Sequence, residues 1–448
     1  MRTCAIVRGM NNKSKPRNPD HVRRHNAPSP DNEVIAERIE ELVLPTVIGQ
    51  LAYFRSLGLR DRILSLPVMV AVVLTLLWRQ VPSVCELTRM LAREKFLWSP
   101  QVEVSQPALS RRFLLFPYEI FRRVLLELAP TLRERALKRE RPLPKSVEYA
   151  QQHFDHIWAV DGSTLEALFR KLKTLKDVPV GQLAGKICSV IDLVTHMPVE
   201  TWFRENASDH DSNFLSQVLA MAKAKVLFVF DRGFYDFAFF DDLIERGAHF
   251  ITRLKSNAVF SIERTLLKTD RAREHIIKLG GPTSQGQHLL RLIEVRYGTK
   301  WYCYVTSVLD PNILPAVYVA DLYRRRWRIE EAFAVLKRLL GLSYLWTGSI
   351  NGILLQVWST WLFYAILVDL ADAVAEELML PFDHMSLEMV FRGLYHFIQA
   401  YNRGETTDPV KYLAAPENRD LGVVKRLRKK EPDPTNSDTP QTLEVVKL

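Results

Sequence analysis

Five consecutive residues, Val226-Leu-Phe-Val-Phe230, are apolar, and they stop at Asp231-Arg-Gly233. A run this short, without polar alternation, fits a strand covered on both faces, and strands of that kind belong to largely parallel sheets flanked by helices. His156-Ile-Trp-Ala-Val160 is a similar, largely apolar run and stops at Asp161-Gly-Ser163. Two buried strands thus deliver a carboxylate to their carboxyl ends. Strands from parallel neighbours joined by crossovers present those ends on one edge of the sheet.

The residues around these runs complete an α/β pattern. Lys186 to Leu193 and Glu200 to Phe203 read as strands joined by a turn at Thr195-His-Met-Pro198, and an amphipathic helix follows from about Ser212 to Ala224. A helix at Phe237 to Arg246 and a strand at Phe250 to Leu254 give the order β-β-β-α-β-α-β. Strand-like pieces at His288 to Tyr297 and Trp301 to Ser307 then interrupt the rhythm, so residues 255–318 read as a β-rich insertion in a core spanning 146–254 and 319–345. Helical patterns flank this core over 33–145 and 346–420. The basic, Pro/Asn-rich residues 1–32 and the polar tail 421–448 read as disordered.

The chain of 448 residues, with 47% hydrophobic residues, has room for two to four domains. Its 61 Lys and Arg against 51 Asp and Glu leave a formal charge of +10, which suits a polyanionic partner. Cys4, Cys85, Cys188 and Cys303 form no C-x-x-C pair, so neither a zinc site nor a disulfide framework is indicated. The N-terminus lacks the apolar stretch of a leader, which points to the cytoplasm. Ile353 to Val368 is apolar enough to suggest a membrane span. Gln356, Ser359 and Thr360 interrupt it and Asp369 and Asp372 follow, so a buried helix and no membrane contact is the expectation.

In the N-terminal region, Ser83 is expected to cap a helix over Val84 to Lys95, and Ser105-Gln-Pro107 to open another over Ala108 to Phe116 with Ser110, Arg111 and Arg112 outward. Such a pair resembles a helix-turn-helix and is equally ordinary helix packing. Arg133, Arg135, Lys138, Arg139, Arg141 and Lys145, with Pro142 and Pro144, read as a basic linker able to follow phosphates.

A second feature lies in Asp321-Leu-Tyr-Arg-Arg-Arg-Trp-Arg-Ile-Glu-Glu-Ala-Phe-Ala-Val-Leu-Lys-Arg-Leu-Leu-Gly341. On one continuous helix, Tyr323, Arg326, Glu330 and Lys337 share a face, Ile329, Phe333, Leu336 and Leu340 form the buried stripe, and Gly341 ends it. Arg324, Arg325 and Arg328 fall off that face and read as solvated. Alone, this is a charged amphipathic helix. Beside Asp161 and Asp231, Glu330 becomes a third acid, and an all-oxygen set without Cys or His suits Mg²⁺ or Mn²⁺. A pair of such ions about 3.5–4 Å apart is a common device of phosphodiester chemistry.

The spacing Tyr323-x2-Arg326-x3-Glu330-x6-Lys337 resembles the Tyr-Arg-Glu-Lys signature of the insertion-sequence-4 family of bacterial transposases. Trp327-Arg-Ile-Glu-Glu331, Asp161-Gly-Ser163 and Asp231-Arg-Gly-Phe234 are similar to the wording of that family, and the order Asp, Asp, Glu is that of the DDE transposases. The resemblance covers about residues 150 to 345 and implies a ribonuclease-H-like core. It also implies metal ligation by Asp161, Asp231 and Glu330 with two ions, and contact of Tyr323, Arg326 and Lys337 with phosphates at the transposon end. Trp301 resembles the tryptophan that stacks on a flipped base, a match reached through a one-residue shift, and Arg253 and Lys255 resemble DNA-tracking positions. The implied activity is cut-and-paste transposition at terminal inverted repeats. Water frees a 3′-hydroxyl, a hairpin forms and opens, and the 3′ ends join target DNA within a homodimeric complex. A transposase-derived DNA-binding protein without chemistry, or a nuclease without strand transfer, are the alternatives.

Other acids read more simply. Asp209-His-Asp211 stands just before a helix and is expected to cap it. Asp241 and Asp242 read as surface charges, and only the register of the signature separates Glu330 from Glu331.

Overall fold

The computed structural model describes residues 28–59, 61–165, 185–281, 284–342, 346 and 349–424. Most of the expected basic arm and all but the first residues of the expected tail lie outside them. The N-terminal part forms α1 (Glu33–Gly49), α2 (Leu51–Ser56), α3 (Leu66–Trp78), α4 (Val84–Leu91), α5 (Gln106–Leu115), α6 (Tyr118–Lys138) and α7 (Lys145–Ala150). The α/β part comprises β1 (His156–Thr164), β2 (Lys186–Asp192), β3 (Pro198–Arg204), α8 (Leu215–Ala220), β4 (Val226–Phe230), α9 (Phe237–Glu245) and β5 (His249–Arg253). Next come β6 (Phe260–Lys268), β7 (Ala272–Gly281), β8 (Ser284–Tyr297) and β9 (Lys300–Thr306). Then follow α10 (Ala316–Arg325), α11 (Trp327–Ala334), α12 (Ile350–Glu377), α13 (Leu387–Asn402) and α14 (Pro409–Ala414).

The strands make one sheet in the order β3-β2-β1-β4-β5-β9-β8-β7-β6. β1 and β4 are parallel neighbours, as their apolar runs require, with Ile157 opposite Leu227 and Ala159 opposite Val229. The expected insertion is not set apart: β9 pairs antiparallel with β5, so β6 to β9 extend the core sheet. Side chains alternate across a strand. Ile157, Ala159, Leu227 and Val229 therefore face the core shared with α10 to α12, while Trp158, Val160, Phe228 and Phe230 face the core shared with α8 and α9. One step further along each strand, Asp161 and Asp231 fall on the side of α10 and α11.

The two helical flanks share a core rather than forming separate units. α12, whose most apolar window is 94% buried, lies against α3 and α6. This matches the buried-helix expectation, although by length and composition alone the helix is apolar enough to cross a membrane. The basic linker, by contrast, is not one. α6 continues through Arg133, Arg135 and Lys138, and Arg139 and Arg141 turn inward to ion pairs with α12. Arg139 reaches Asp369 at 2.7 Å and Asp372 at 2.9 Å, Arg141 pairs with Asp372, and Arg135 approaches Asp369 at 3.3 Å. Two acids buried near the end of an apolar helix require cations, and the run after α6 supplies them.

Several local expectations change as well. Ser83 and Ser105 do cap α4 and α5, by accepting from the amides of Glu86 and Ala108. Arg112, however, turns inward to donate to the Leu64 carbonyl at 3.0 Å and lies over the Phe54 ring. Asp241 is buried, accepting from the amides of Gln287 and His288 at 2.8 and 3.0 Å, because α9 packs on β8. The helix expected after β3 is shorter, a 3₁₀ turn over Asp211–Phe214 followed by α8.

A buried cluster ties the β2–β3 turn to the C-terminal part. His196, at φ 59°, stacks on Phe382 with ring centroids 4.3 Å apart, and burial pushes its pKa down to about 3. Asp383 accepts from Arg325 and lies 3.0 Å from Arg328. Burial alone would raise the Asp383 carboxyl, but those two guanidinium groups hold it well below the usual range. Arg325 and Arg328 are therefore structural partners of Asp383 rather than solvated charges. The unfolded chain takes up a proton on His196 near pH 6.5, whereas the folded chain does so only near pH 3. Stability from this group is thus complete above pH 6.5 and is lost as pH falls through that window, at up to about 1.36 kcal/mol per pH unit. His196→Asn, which tolerates the left-handed backbone and does not titrate, is expected to flatten thermal stability between pH 6.5 and 4. An unchanged slope in melting experiments would refute this.

Candidate active site

The helix expected over residues 321 to 341 is broken. α10 ends at Arg325, Arg326 makes a turn by donating its amide to the Tyr323 carbonyl at 3.1 Å, and α11 restarts at Trp327. Val335–Leu339 then form one π-helical turn before Gly341 at φ 78°. π turns recur at functional sites because they re-aim a side chain. Here the turn carries Lys337, whose Nζ donates to Ser163 Oγ at 2.6 Å and to the Thr164 carbonyl at 2.8 Å.

Arg326 sits at the centre. Its Nη1 donates to Asp161 Oδ2, and its Nη2 lies 3.8 Å from Asp231 Oδ1 and 3.7 Å from Glu330 Oε1. The three acids expected from the sequence thus converge on one guanidinium. Among the described residues no three acidic, His or Cys side chains close on a common point as a ready metal cluster, because Arg326 stands between these. Asp161 is the buried member, with its side chain 9% exposed, against 41% for Asp231 and 43% for Glu330. Burial drives the Asp161 carboxyl up to about 7; Arg326 opposes that shift, and Asp231 and Glu330 add to it. Arg326 is the cation among these acids here, and their all-oxygen donor set fits a hard divalent ion in its place.

The neighbouring groups are donors. Burial pushes the Tyr323 phenol up to about 12, so it stays protonated and donates to Asp231 Oδ1 at 3.3 Å. Burial lowers Lys337, with Glu330 partly offsetting the shift. Arg253, on the same face of β5, lies 5.4 Å from the Tyr302 ring, and Tyr304 packs against Tyr323 with centroids 5.3 Å apart. Lys255 lies over the Tyr235 ring at 4.9 Å.

Trp301 is elsewhere. It shares a face of β9 with Cys303, packs 4.3 Å from the Arg273 guanidinium, and so lies on the α9 side of the sheet. Its neighbour Tyr302 is presented on the site's face instead, together with Tyr304. Sequence reasoning also missed Ser163 and Thr164 as the seat of Lys337, and of the capping and dipole roles expected for Asp211 only its place in the first turn is found. Asp211 makes no side-chain cap; it pairs with Lys186 at 2.8 Å, while Asp209 is bound by Arg204 and Asn206. The signal in the sequence was a glycine one residue after Asp161 and two after Asp231.

No curated protein matches the chain. The segment from 154 to 360, which holds the whole sheet and all three acids together with Arg326 and Lys337, matches the family model of the transposase DDE domain, and this match supports a DDE transposase.

Proposed function

We propose that this chain is a cut-and-paste transposase of the insertion-sequence-4 type. On this reading a ribonuclease-H-like core cleaves DNA at the terminal inverted repeats of its own element and joins the freed 3′ ends to target DNA. The observation that carries this reading is the convergence of Asp161, Asp231 and Glu330 on Arg326, the two aspartates coming from just past the last paired residues of the neighbouring strands β1 and β4 and the glutamate from a helix. The three acids would hold Mg²⁺ or Mn²⁺, two ions in our reading. Bound there, the ions would supply activation of the attacking oxygen and charge stabilisation of the leaving one.

The chain's own groups do the positioning. Asp161 anchors the site from its buried side, and the more exposed Asp231 and Glu330 leave the approach to DNA open. Arg326, released from the carboxylates, offers a planar fork to a phosphate, and Lys337 a point charge. Tyr323 donates from below Asp231. The capped pair α4 and α5 is assigned to end recognition, and the C-terminal helices to dimerisation in the paired-end complex.

Base stacking is assigned to Tyr302 in place of Trp301, since Tyr302 shares the face of Arg253 and Tyr304. Tyr302→Ala is expected to slow cleavage of the second strand by roughly 10-fold, as loss of about 1–3 kcal/mol of stacking would. Trp301→Ala is expected to change it less than about threefold. The opposite ranking in a gel assay would return the role to Trp301.

The overall reading is tested by incubating the protein with DNA bearing the inverted repeats that flank its own reading frame, with Mg²⁺ or Mn²⁺, and sequencing the products. Joined 3′ ends support it. Cutting without joining would make the protein a nuclease, and binding without cutting would make it a transposase-derived DNA-binding protein.

A further inference from the structure

Asp211 touches both strand ends of the site without belonging to it. It opens the 3₁₀ turn after β3, and its carboxylate rests against Gly162 and Gly233, the glycines just beyond Asp161 and Asp231. A Cβ added to Gly162 would overlap Asp211 Oδ1 and stand 2.9 Å from its Cγ. A Cβ added to Gly233 would overlap Oδ2 and stand 3.0 Å from the Asp211 Cβ. Only glycine admits the carboxylate at both places. Lys186 on β2 fixes it there, with Nζ 2.8 Å from Asp211 Oδ1 and donating to the Asp209 carbonyl at 2.6 Å. Both partners are largely buried, with side-chain exposures of 11% for Lys186 and 19% for Asp211.

Strand alternation decides what this carboxylate can do. Gly162 points to the face opposite Asp161, so Asp211 lies behind β1, on the side of α8 and α9, and is not a further ligand of the three-acid site. One rigid group instead bridges Gly162, inside β1 just past its pairing with β4, and Gly233, in the turn that follows β4. We propose that Asp211, held by Lys186, is a positioning residue that sets the separation of Asp161 and Asp231 through the backbone of Gly162 and Gly233. The inference rests on the metal-binding reading above. Without the wedge, the two strand ends drift and the shared cation site loosens.

The test is Mn²⁺ binding by the full chain without DNA, followed by calorimetry, with melting temperature and inverted-repeat binding measured alongside. Asp211→Ala and Lys186→Met are each expected to weaken Mn²⁺ binding about 10-fold while leaving DNA binding within about twofold, the scale seen when outer-shell partners of metal ligands are removed. Gly162→Ala, which drives a methyl into the carboxylate, is expected to weaken Mn²⁺ binding at least as much. Adding Asp211→Ala to Gly162→Ala should then recover part of the loss, since the clashing group is gone. A purely structural role would give additive losses in the double variant, which would overturn the proposal. So would Asp211→Ala binding Mn²⁺ like the wild type. Asp211→Asn keeps the shape but not the charge, and covers the case in which the alanine variant fails to fold; wild-type affinity there, combined with additive losses, also overturns the inference. Wild-type Mn²⁺ affinity that Asp231→Asn leaves untouched would overturn the underlying metal reading, an outcome distinct from failure of the wedge.

Discussion

Asp231→Ala is expected to lower metal-dependent cleavage of inverted-repeat DNA by at least about 10³-fold while leaving the fold and end binding nearly intact. The side chain directly follows β4, is 41% exposed, and lies 3.3 Å from the Tyr323 hydroxyl and 3.8 Å from Arg326. Its truncation opens no cavity and strands no buried charge, so the stability change should stay within about 0.5 kcal/mol. The matching change at Asp161 is less informative, because that carboxylate is buried against Arg326 and its removal also disturbs the fold. Gel-based cleavage and fluorescence binding on one preparation separate the two effects. A variant that cuts at more than a few per cent of the wild-type rate would remove Asp231 from the chemistry.

The parts of this site that could be read from the sequence are those fixed by local pattern. Two apolar runs each ending in aspartate determine strand, burial and direction together, so the parallel pairing of β1 with β4 and the common face of their acids followed. The spacing of Tyr323, Arg326, Glu330 and Lys337 likewise predicts one side of a helix, and all four do reach the site. The break at Arg326 and the π turn around Lys337 were invisible, because both arise from tertiary demands: Arg326 is drawn to Asp161, and Lys337 to Ser163. The same cause explains Arg139 and Arg141. A basic run looks solvated until the acids that bury it, Asp369 and Asp372, are known, and these lie more than 200 residues away. Trp301 and Tyr302 differ by one residue, and in a strand one residue changes the face.

Arg326→Gln is expected to separate the two jobs of this guanidinium. Without metal, the arginine pairs with Asp161 and sits within 4 Å of Asp231 and Glu330 from a side chain only 5% exposed, and removing it from its buried pair with Asp161 should cost about 3–5 kcal/mol. A divalent ion among the same acids has no guanidinium to displace in the variant. Mn²⁺ should therefore raise the melting temperature of Arg326→Gln more than that of the wild type, since a ligand at about 100 times its Kd contributes about 2.7 kcal/mol. Arg326→Lys keeps one charge but cannot span Asp161 and Asp231 with two nitrogens, so its metal shift should fall between the other two. Cleavage would not recover with stability. If the fork also grips the phosphate being cut, losing charge-assisted hydrogen bonds worth about 1.5–3 kcal/mol leaves the metal-loaded Gln variant roughly 10²-fold slow. Equal metal shifts in wild type and variant would mean that the guanidinium and the cation do not compete. The three acids would then hold the arginine for structure alone.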